Sequence, residues 1–206
     1  MRDRPDRPPV VAIVSDAIYP YNKGGKELRY HEITSRLADA GWDVNVYTMH
    51  WWDGPRERVE NGITYRALCR RQGLYSGGRR SIFQALAFSL GCLRLLGRDF
   101  DIIEADHMPY LQLFPLWFVA RCKRRELVVT WHEVWGLRGW REYLGVLGFV
   151  AAAIEYVSMR LPDHIVTAHP ETGRRLQAAG VRADRLDVVP NGVDLPMIES
   201  AVPSEE

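Results

Sequence analysis

Carboxylates and histidines close a series of short apolar runs in this sequence. Asp16 follows "VVAIVS", His50 ends "WDVNVYTMH", and Asp106 and His107 end "DIIEADH". His132 and Glu133 end "VVTWHE", and His169 ends "DHIVTAH". Neutral imidazole donates and accepts a hydrogen bond at once, while a carboxylate only accepts, so such a set suits a ligand rich in hydroxyls, a sugar above all. Four of the six histidines lie at these ends, and a core or random placement would not favour one end of successive runs. A metal is not read from them: there is no HxxxH or HExxH, and ligands from three separate segments carry no spacing signature. No GxSxG elbow marks a nucleophile.

A second group with chemical use is "YPYNKGGKEL", in which Gly24 and Gly25 stand between the first apolar run and an amphipathic segment. Adjacent glycines there bend the chain tightly and leave N–H groups beside a helix N-terminus, a favourable place for a phosphate. A plain flexible turn is the other reading. The spacing is not GxGxxG, and Lys26 followed by Glu27 does not make a Walker A loop.

These residues need a scaffold, and the runs between them describe one. "VVAIVS" (Val10–Ser15), "WDVNVYT", "GITYRAL" (Gly62–Leu68), "DIIEAD" (Asp101–Asp106), "ELVVTWHE" (Glu126–Glu133), "DHIVTAH" and "LDVVPNGVD" read as strands. Helices are expected from the glycine loop to Gly41, over about Ser81–Leu96, from Pro109 to about Cys122, over about Trp140–Arg160, and from Pro170 to near Gly180. Strands alternating with helices give an α/β fold, a doubly wound and mostly parallel sheet flanked by helices. Ligands in such sheets bind beyond the carboxyl ends of the strands, near the reversal in strand order, which is where the histidines and carboxylates fall.

The chain has 206 residues, 47% hydrophobic and 26% charged, as expected of one soluble globular domain. Cys69, Cys92 and Cys122 form no CxxC pair, which points to a reducing compartment. "MRDRPDRPPV" has no apolar core and reads as a disordered tail over 1–9 rather than a signal peptide. The longest apolar stretch, Tyr143–Ile154, is too short to span a bilayer, so the expectation is a cytoplasmic protein, soluble or at most peripheral at the inner membrane face. The net charge of +1 hides a window between Glu60 and Asp99 without an acid, holding Arg66, Arg70, Arg71, Arg79, Arg80, Arg94 and Arg98. It is either a set of solvated faces or a surface that meets something anionic: phospholipid headgroups, a phosphorylated acceptor or nucleic acid. The helix over Ser81–Leu96 is apolar nearly all round, with core burial as its default and membrane docking as its alternative. Trp51 and Trp52 read first as loop anchors, with stacking on a sugar ring or a place at a membrane surface as the alternatives.

Together these segments resemble the amino-terminal part of retaining GT-B glycosyltransferases of family four. The likeness rests on "PYNKGGKEL" followed by "LADAGWDVNVYT", then "DIIEAD", "VVTWHE", "LPDHIVTAH" and "LDVVPNGVDL", and covers about Val10 to Leu195. It implies a Rossmann-like half of a GT-B fold over 10–195, with the interdomain linker starting at 196–206 and a C-terminal donor-binding domain missing, supplied in cis or as a separate subunit. It implies hexosyl transfer from a nucleotide sugar, a substrate rather than a cofactor, to the hydroxyl of a sugar, lipid-linked or small-molecule acceptor. The diphosphate leaves on the acceptor's side without a covalent protein intermediate. Gly24 and Gly25 would lie near the donor diphosphate, His132 at the reaction centre, and Asp16, Asp106 and His107 among the acceptor contacts. Glu133 and His169 would be further sugar contacts, and Asn191 would organise the turn between domains. The family's usual serine is Ala168 here and its usual histidine is Trp42. No cofactor, metal or nucleic acid is implied. Without the second domain the chain should not turn over. The alternatives are a non-catalytic acceptor-binding or partner-recruiting module of a split enzyme, and a nucleotide-binding regulator of similar architecture.

Overall fold

The computed structural model describes residues 7–76 and 78–192. Val10–Val14 (β1) is buried at every position, which is why it reads as an unbroken apolar run. The helix Gly25–Asp39 (α1) follows, then Asp43–His50 (β2). Gly41 ends α1 with φ +83°, while the Trp42 N–H reaches the Leu37 carbonyl at 3.0 Å, a Schellman stop that glycine allows at no steric cost. Next come Glu57–Glu60 (β3), Ile63–Arg70 (β4) and a small hairpin of Tyr75–Ser76 (β5) with Arg79–Arg80 (β6). They are followed by Ile82–Cys92 (α2), Ile102–Asp106 (β7), Leu113–Lys123 (α3) and Glu126–Trp131 (β8). Gly136–Leu144 (α4), Gly148–Ser158 (α5), His164–Thr167 (β9), Pro170–Ala178 (α6) and Leu186–Val188 (β10) complete the order.

Among the described residues, eight strands make one sheet in the order β10-β9-β8-β7-β1-β2-β4-β3. All neighbours are parallel except β3, which runs antiparallel to β4 at the edge. The chain moves one way from β1 to β4, then returns to β7 on the other side of β1. Right-handed crossovers therefore place α1 and α2 on opposite faces, the doubly wound arrangement. Register aligns Val14 with Ala105 and Asp106 with Thr130, so β1, β7 and β8 finish together. The core between the layers is built around Ile13, Phe88, Ile103, Leu116 and Trp131, all essentially fully buried.

Several elements differ from the sequence reading. The helix expected over Ser81–Leu96 becomes α2 followed by a 3-10 turn at Leu93–Gly97. The single helix expected over Trp140–Arg160 is two, α4 and α5, because Gly145 takes φ +62°, and Gly148 lets α5 start against α4. A Cβ at Gly148 would sit on the Trp140 carbonyl, closer than any real contact. β3 and the β5–β6 hairpin were not expected at all. The tail expected over 1–9 is anchored at its end, where Arg7 donates to Asp101 at 3.2 Å and pairs with Asp99 at 3.4 Å. Residues 1–6, the linker of 196–206 and the end of the "PNGVD" turn lie outside the described residues.

Candidate active site

The reversal in strand order lies between β1 and β7, and at their carboxyl ends stand Asp16, two residues past β1, and Asp106, the last residue of β7. Both are fully buried. A buried carboxylate must be paired or hydrogen-bonded, and the partner here is Lys26, reached from the second position of α1. Its Nζ lies 3.1 Å from Asp16 Oδ1 and 2.5 Å from Asp106 Oδ2, with the side chain 16% exposed. Burial alone would lower the lysine pKa, but the Asp106 and Asp16 charges outweigh it and hold the ammonium well above its usual range. Burial alone would likewise raise the Asp106 carboxyl, and Lys26 with His107 reverses that, leaving it well below the carboxylate range. The second oxygen of Asp16 accepts from Gln84 of α2 at 3.1 Å and pairs with Arg80 of the hairpin at 3.2 Å.

His107 lies against Trp131, with ring centroids 5.1 Å apart, and its Nδ1 is 3.2 Å from Asp106 Oδ1. His132 follows β8, 23% exposed, with Nε2 3.6 Å from the same oxygen, too far for a hydrogen bond. Burial, assisted by the His107, Lys26 and Arg29 charges and opposed by Asp106, pushes the His132 imidazole down to about 4. It is therefore neutral at pH 7, able to accept and donate. Asp106, His107 and His132 offer ligand atoms within 4.8 Å of one another, a grouping that no sequence spacing displays. The Lys26 ammonium already supplies a cation to that carboxylate.

Gly24 is the N-cap of α1 with φ −132° and ψ 170°, a conformation open to any residue. A Cβ there would collide with the carboxylate of Glu27, a flexible side chain that can move. A Cβ on Gly25 would meet nothing within 4 Å. Both glycines are exposed, so neither backbone strain nor packing within the chain explains why two stand together.

The remaining expected residues are dispersed. Glu133 is exposed just beyond His132. His169 caps α6, its Nδ1 accepting from the Glu171 N–H at 3.1 Å. Trp51 and Trp52 are buried loop anchors, donating to the Asp16 carbonyl at 2.9 Å and the Pro55 carbonyl at 2.7 Å. Asn191 accepts from Arg29 of α1 at 2.8 Å, tying the turn after β10 to the helix that starts at the glycines. Lys26, Arg80 and Gln84 were missed. Lys26 had a signal, being the position beside the glycines, but the reach of Arg80 and Gln84 to Asp16 depends on how α2 packs.

One buried acid beside the site has a testable titration. Glu104 of β7 accepts from Tyr30 at 3.0 Å and from Thr130 at 2.5 Å. Burial pushes its carboxyl up to about 7, with those two hydrogen bonds pulling the other way. A group whose folded pKa is raised contributes stability that is fully present below its unfolded pKa of about 4.3 and is lost as pH rises toward the folded value. Wild type should therefore lose stability relative to Glu104→Gln between about pH 4.5 and 7, at up to roughly 1.4 kcal/mol per pH unit. Urea unfolding of both proteins across that range measures it, and parallel curves would contradict it.

The family model described as "Glycosyltransferase Family 4" matches residues 23–196. No curated protein matches the chain. Among solved structures, Anabaena Alr3699/HepE in complex with UDP and glucose superposes with a TM-score of 0.58 at 18% identity, over 91% of this chain and 45% of that one. The same protein with UDP-glucose gives 0.58 at 16%, over 91% and 45%. The catalytic domain of starch synthase IV from Arabidopsis thaliana, bound to ADP and acarbose, gives 0.60 at 15%, over 92% and 52%. Likeness at such identities is likeness of fold, and the chain spans about half the length of these structures. The family match and the doubly wound sheet agree: the chain belongs to glycosyltransferase family 4 and forms a Rossmann-like N-terminal domain of the GT-B type.

Proposed function

We propose that this domain is the acceptor-side half of a retaining glycosyltransferase that moves a hexosyl group from a nucleotide sugar to an acceptor hydroxyl. The observation that carries the reading is Gly25: an exposed glycine at the start of α1, directly before Lys26, with open space where its Cβ would be. The N–H groups there favour an anion through the helix dipole, which fits a diphosphate arriving from a second domain. His132, neutral and part-exposed, is the group suited to hydrogen-bond a sugar hydroxyl near the reacting carbon. Asp16 and Asp106 are buried, so they act on the acceptor by holding Lys26, His107 and His132 in place. Glu133 and His169 would be outer sugar contacts.

The departing diphosphate oxygen is the group placed to take the acceptor hydroxyl proton as the new glycosidic bond forms, with positive charge and N–H dipoles easing its departure. Donor contacts beyond the diphosphate belong to a second Rossmann-like domain, covalently joined or separate. Relatives that carry UDP, UDP-glucose or ADP are compatible with a nucleotide-sugar donor.

Gly25→Ala separates this reading from a plain turn. The methyl meets nothing in the chain, and alanine is a better helix residue than glycine by roughly 0.5–1 kcal/mol, so the variant should be as stable as wild type or slightly more so. In the two-domain protein it should weaken nucleotide-sugar binding at least tenfold by calorimetry. The single domain should bind nucleotides at millimolar strength or not at all. Tight nucleotide binding by the single domain, or an unaffected Gly25→Ala, would overturn the proposal.

A further inference from the structure

Three arginines of the acid-free region and its border converge on an open cleft away from the carboxylate cluster. The cleft holds about 350 Å³ between the end of β4 and the C-terminal half of α2, and its lining includes Arg56, Arg70, Arg94, Cys69 and Leu90 but no carboxylate. Other arginines of that region are engaged: Arg66 with Glu57 at 2.9 Å, Arg80 with Asp16 at 3.2 Å, and Arg71 over the Trp51 ring at 5.3 Å. Cys69 stands with Arg56, Arg70 and Arg94 in the lining of the cleft.

Leu90 belongs both to the cleft wall and to an exposed apolar face. With Ile82, Phe83, Leu86, Leu93 and Leu96 it forms a band along α2 and the turn after it, the six being 37–73% exposed. The face is exposed because the opposite side of the helix is the one that packs. Gly91 brings α2 so close to β4 that a Cβ there would lie 3.1 Å from Leu68, and Phe88 and Cys92 are fully buried. A second exposed apolar run, Val146 to Val150 at the turn between α4 and α5, is interrupted only by Gly148. α4 touches the residue leading into α2 through the Tyr143 hydroxyl, which accepts from the Arg80 N–H at 3.1 Å.

We propose that this face is a docking surface for an anionic phospholipid bilayer, with a headgroup phosphate held in the cleft by Arg56, Arg70 and Arg94 and the apolar band of α2 lying at the acyl boundary. Charge complementarity selects this occupant: three guanidiniums without a carboxylate form a phosphate site, and an apolar helical face bordering it matches the interfacial helix of a peripheral protein. The site is separate from the carboxylate cluster but tied to it by α2, an 11-residue helix about 16 Å long at 1.5 Å per residue. One end touches Asp16 through Gln84, and the other borders the cleft.

Flotation with vesicles of pure phosphatidylcholine, and of phosphatidylcholine with about 30% phosphatidylglycerol to supply negative surface charge, tests this on the chain. Binding should require the anionic lipid and fall as salt rises. The triple variant Arg56→Ser, Arg70→Ser, Arg94→Ser should lose roughly a hundredfold in vesicle affinity, at the usual contribution of each basic residue near an anionic surface. A control triple with the same charge change, Arg138→Ser, Arg174→Ser, Arg182→Ser, should lose much less. Leu86→Ser with Leu90→Ser should weaken binding while leaving its salt dependence. Unchanged melting temperatures keep folding out of the comparison, and all these side chains are exposed. Absence of binding to anionic vesicles, or equal losses in the two triples, would overturn the proposal. Binding of inorganic phosphate or glycerol phosphate that depends on the three cleft arginines, without vesicle binding, would assign the site to a soluble phosphate compound and overturn the membrane reading.

Discussion

Replacing Lys26 by methionine is expected to cost about 3–5 kcal/mol of folding stability at pH 7, the range seen when one partner of a buried ion pair is removed. Methionine keeps the length and apolar stem of the side chain, so the loss reports the charge. Asp16 would retain Arg80 and Gln84, but Asp106, fully buried, would keep only the two histidines nearby. The pH dependence should change sign with the substitution. In the wild type the Asp106 carboxyl is depressed, so its contribution is present above its unfolded pKa of about 3.9 and is lost as pH falls below that. In Lys26→Met the same carboxyl is buried without its ammonium, its folded pKa rises above the unfolded one, and stability should increase as pH drops from 7. The two proteins should therefore approach each other in acid. Urea unfolding at pH 7 and 4.5 measures both the loss and its change of sign. A variant as stable as wild type at neutral pH would mean that Lys26 does not carry the two aspartates.

Glu155→Ala should be comparably damaging for a different reason. Glu155 is 1% exposed and accepts from four donors: the Tyr110 hydroxyl at 2.9 Å, the Trp135 and Gly136 N–H groups at 2.9 and 2.8 Å, and Trp140 Nε1 at 2.9 Å. Two of those are the unpaired N–H groups at the start of α4, so an acid on α5 caps the neighbouring helix and meets its positive end. Alanine would leave four donors without an acceptor in a dry site, and each unmet buried group costs about 1–3 kcal/mol before relaxation and water entry. A net loss of roughly 3–5 kcal/mol is expected. Glutamine keeps one carbonyl oxygen and should lose less. Because the segment from His132 to Trp135 joins β8 to α4, hydrogen exchange should quicken first at Trp135 and Gly136, and a uniform rise across the sheet would argue against a local clamp.

The legible part of this structure is the part in which each residue's surroundings repeat along the chain. β1, buried on both faces, is an unbroken apolar run, and β1, β2, β7 and β8 were readable to within two residues at each end. The edge where the site lies followed from the chain order of strands and helices. The Asp16, Asp106, His107 and His132 group was legible as residues at three strand ends, and the register of β1, β7 and β8 brings those ends together. What was not legible depends on contacts between distant segments. Lys26 looks like a loop residue until two buried carboxylates are seen to need it. Gly145 and Gly148 sit inside an apolar stretch that satisfies a helical pattern on both sides, so the break between α4 and α5 is visible only in the close packing of the two helices. β3 escaped because "ERVE" carries three charges, and its one apolar residue, Val59, is exposed.

That charged strand has a consequence of its own. β3 closes one margin of the sheet, and a strand at a margin offers free N–H and C=O groups to any extended peptide that drifts by. Here a newcomer would have to pair against Glu57, Arg58 and Glu60, with Arg58 held over the Trp52 ring at 4.9 Å and Glu57 already bound to Arg66 at 2.9 Å. Stacking copies of the sheet margin to margin would set like charges against each other and break those pairs. β3 thus works as a guard against fibril-like growth, and it is the place where a change such as Glu57→Val with Glu60→Val would first turn a well-behaved protein into an aggregating one.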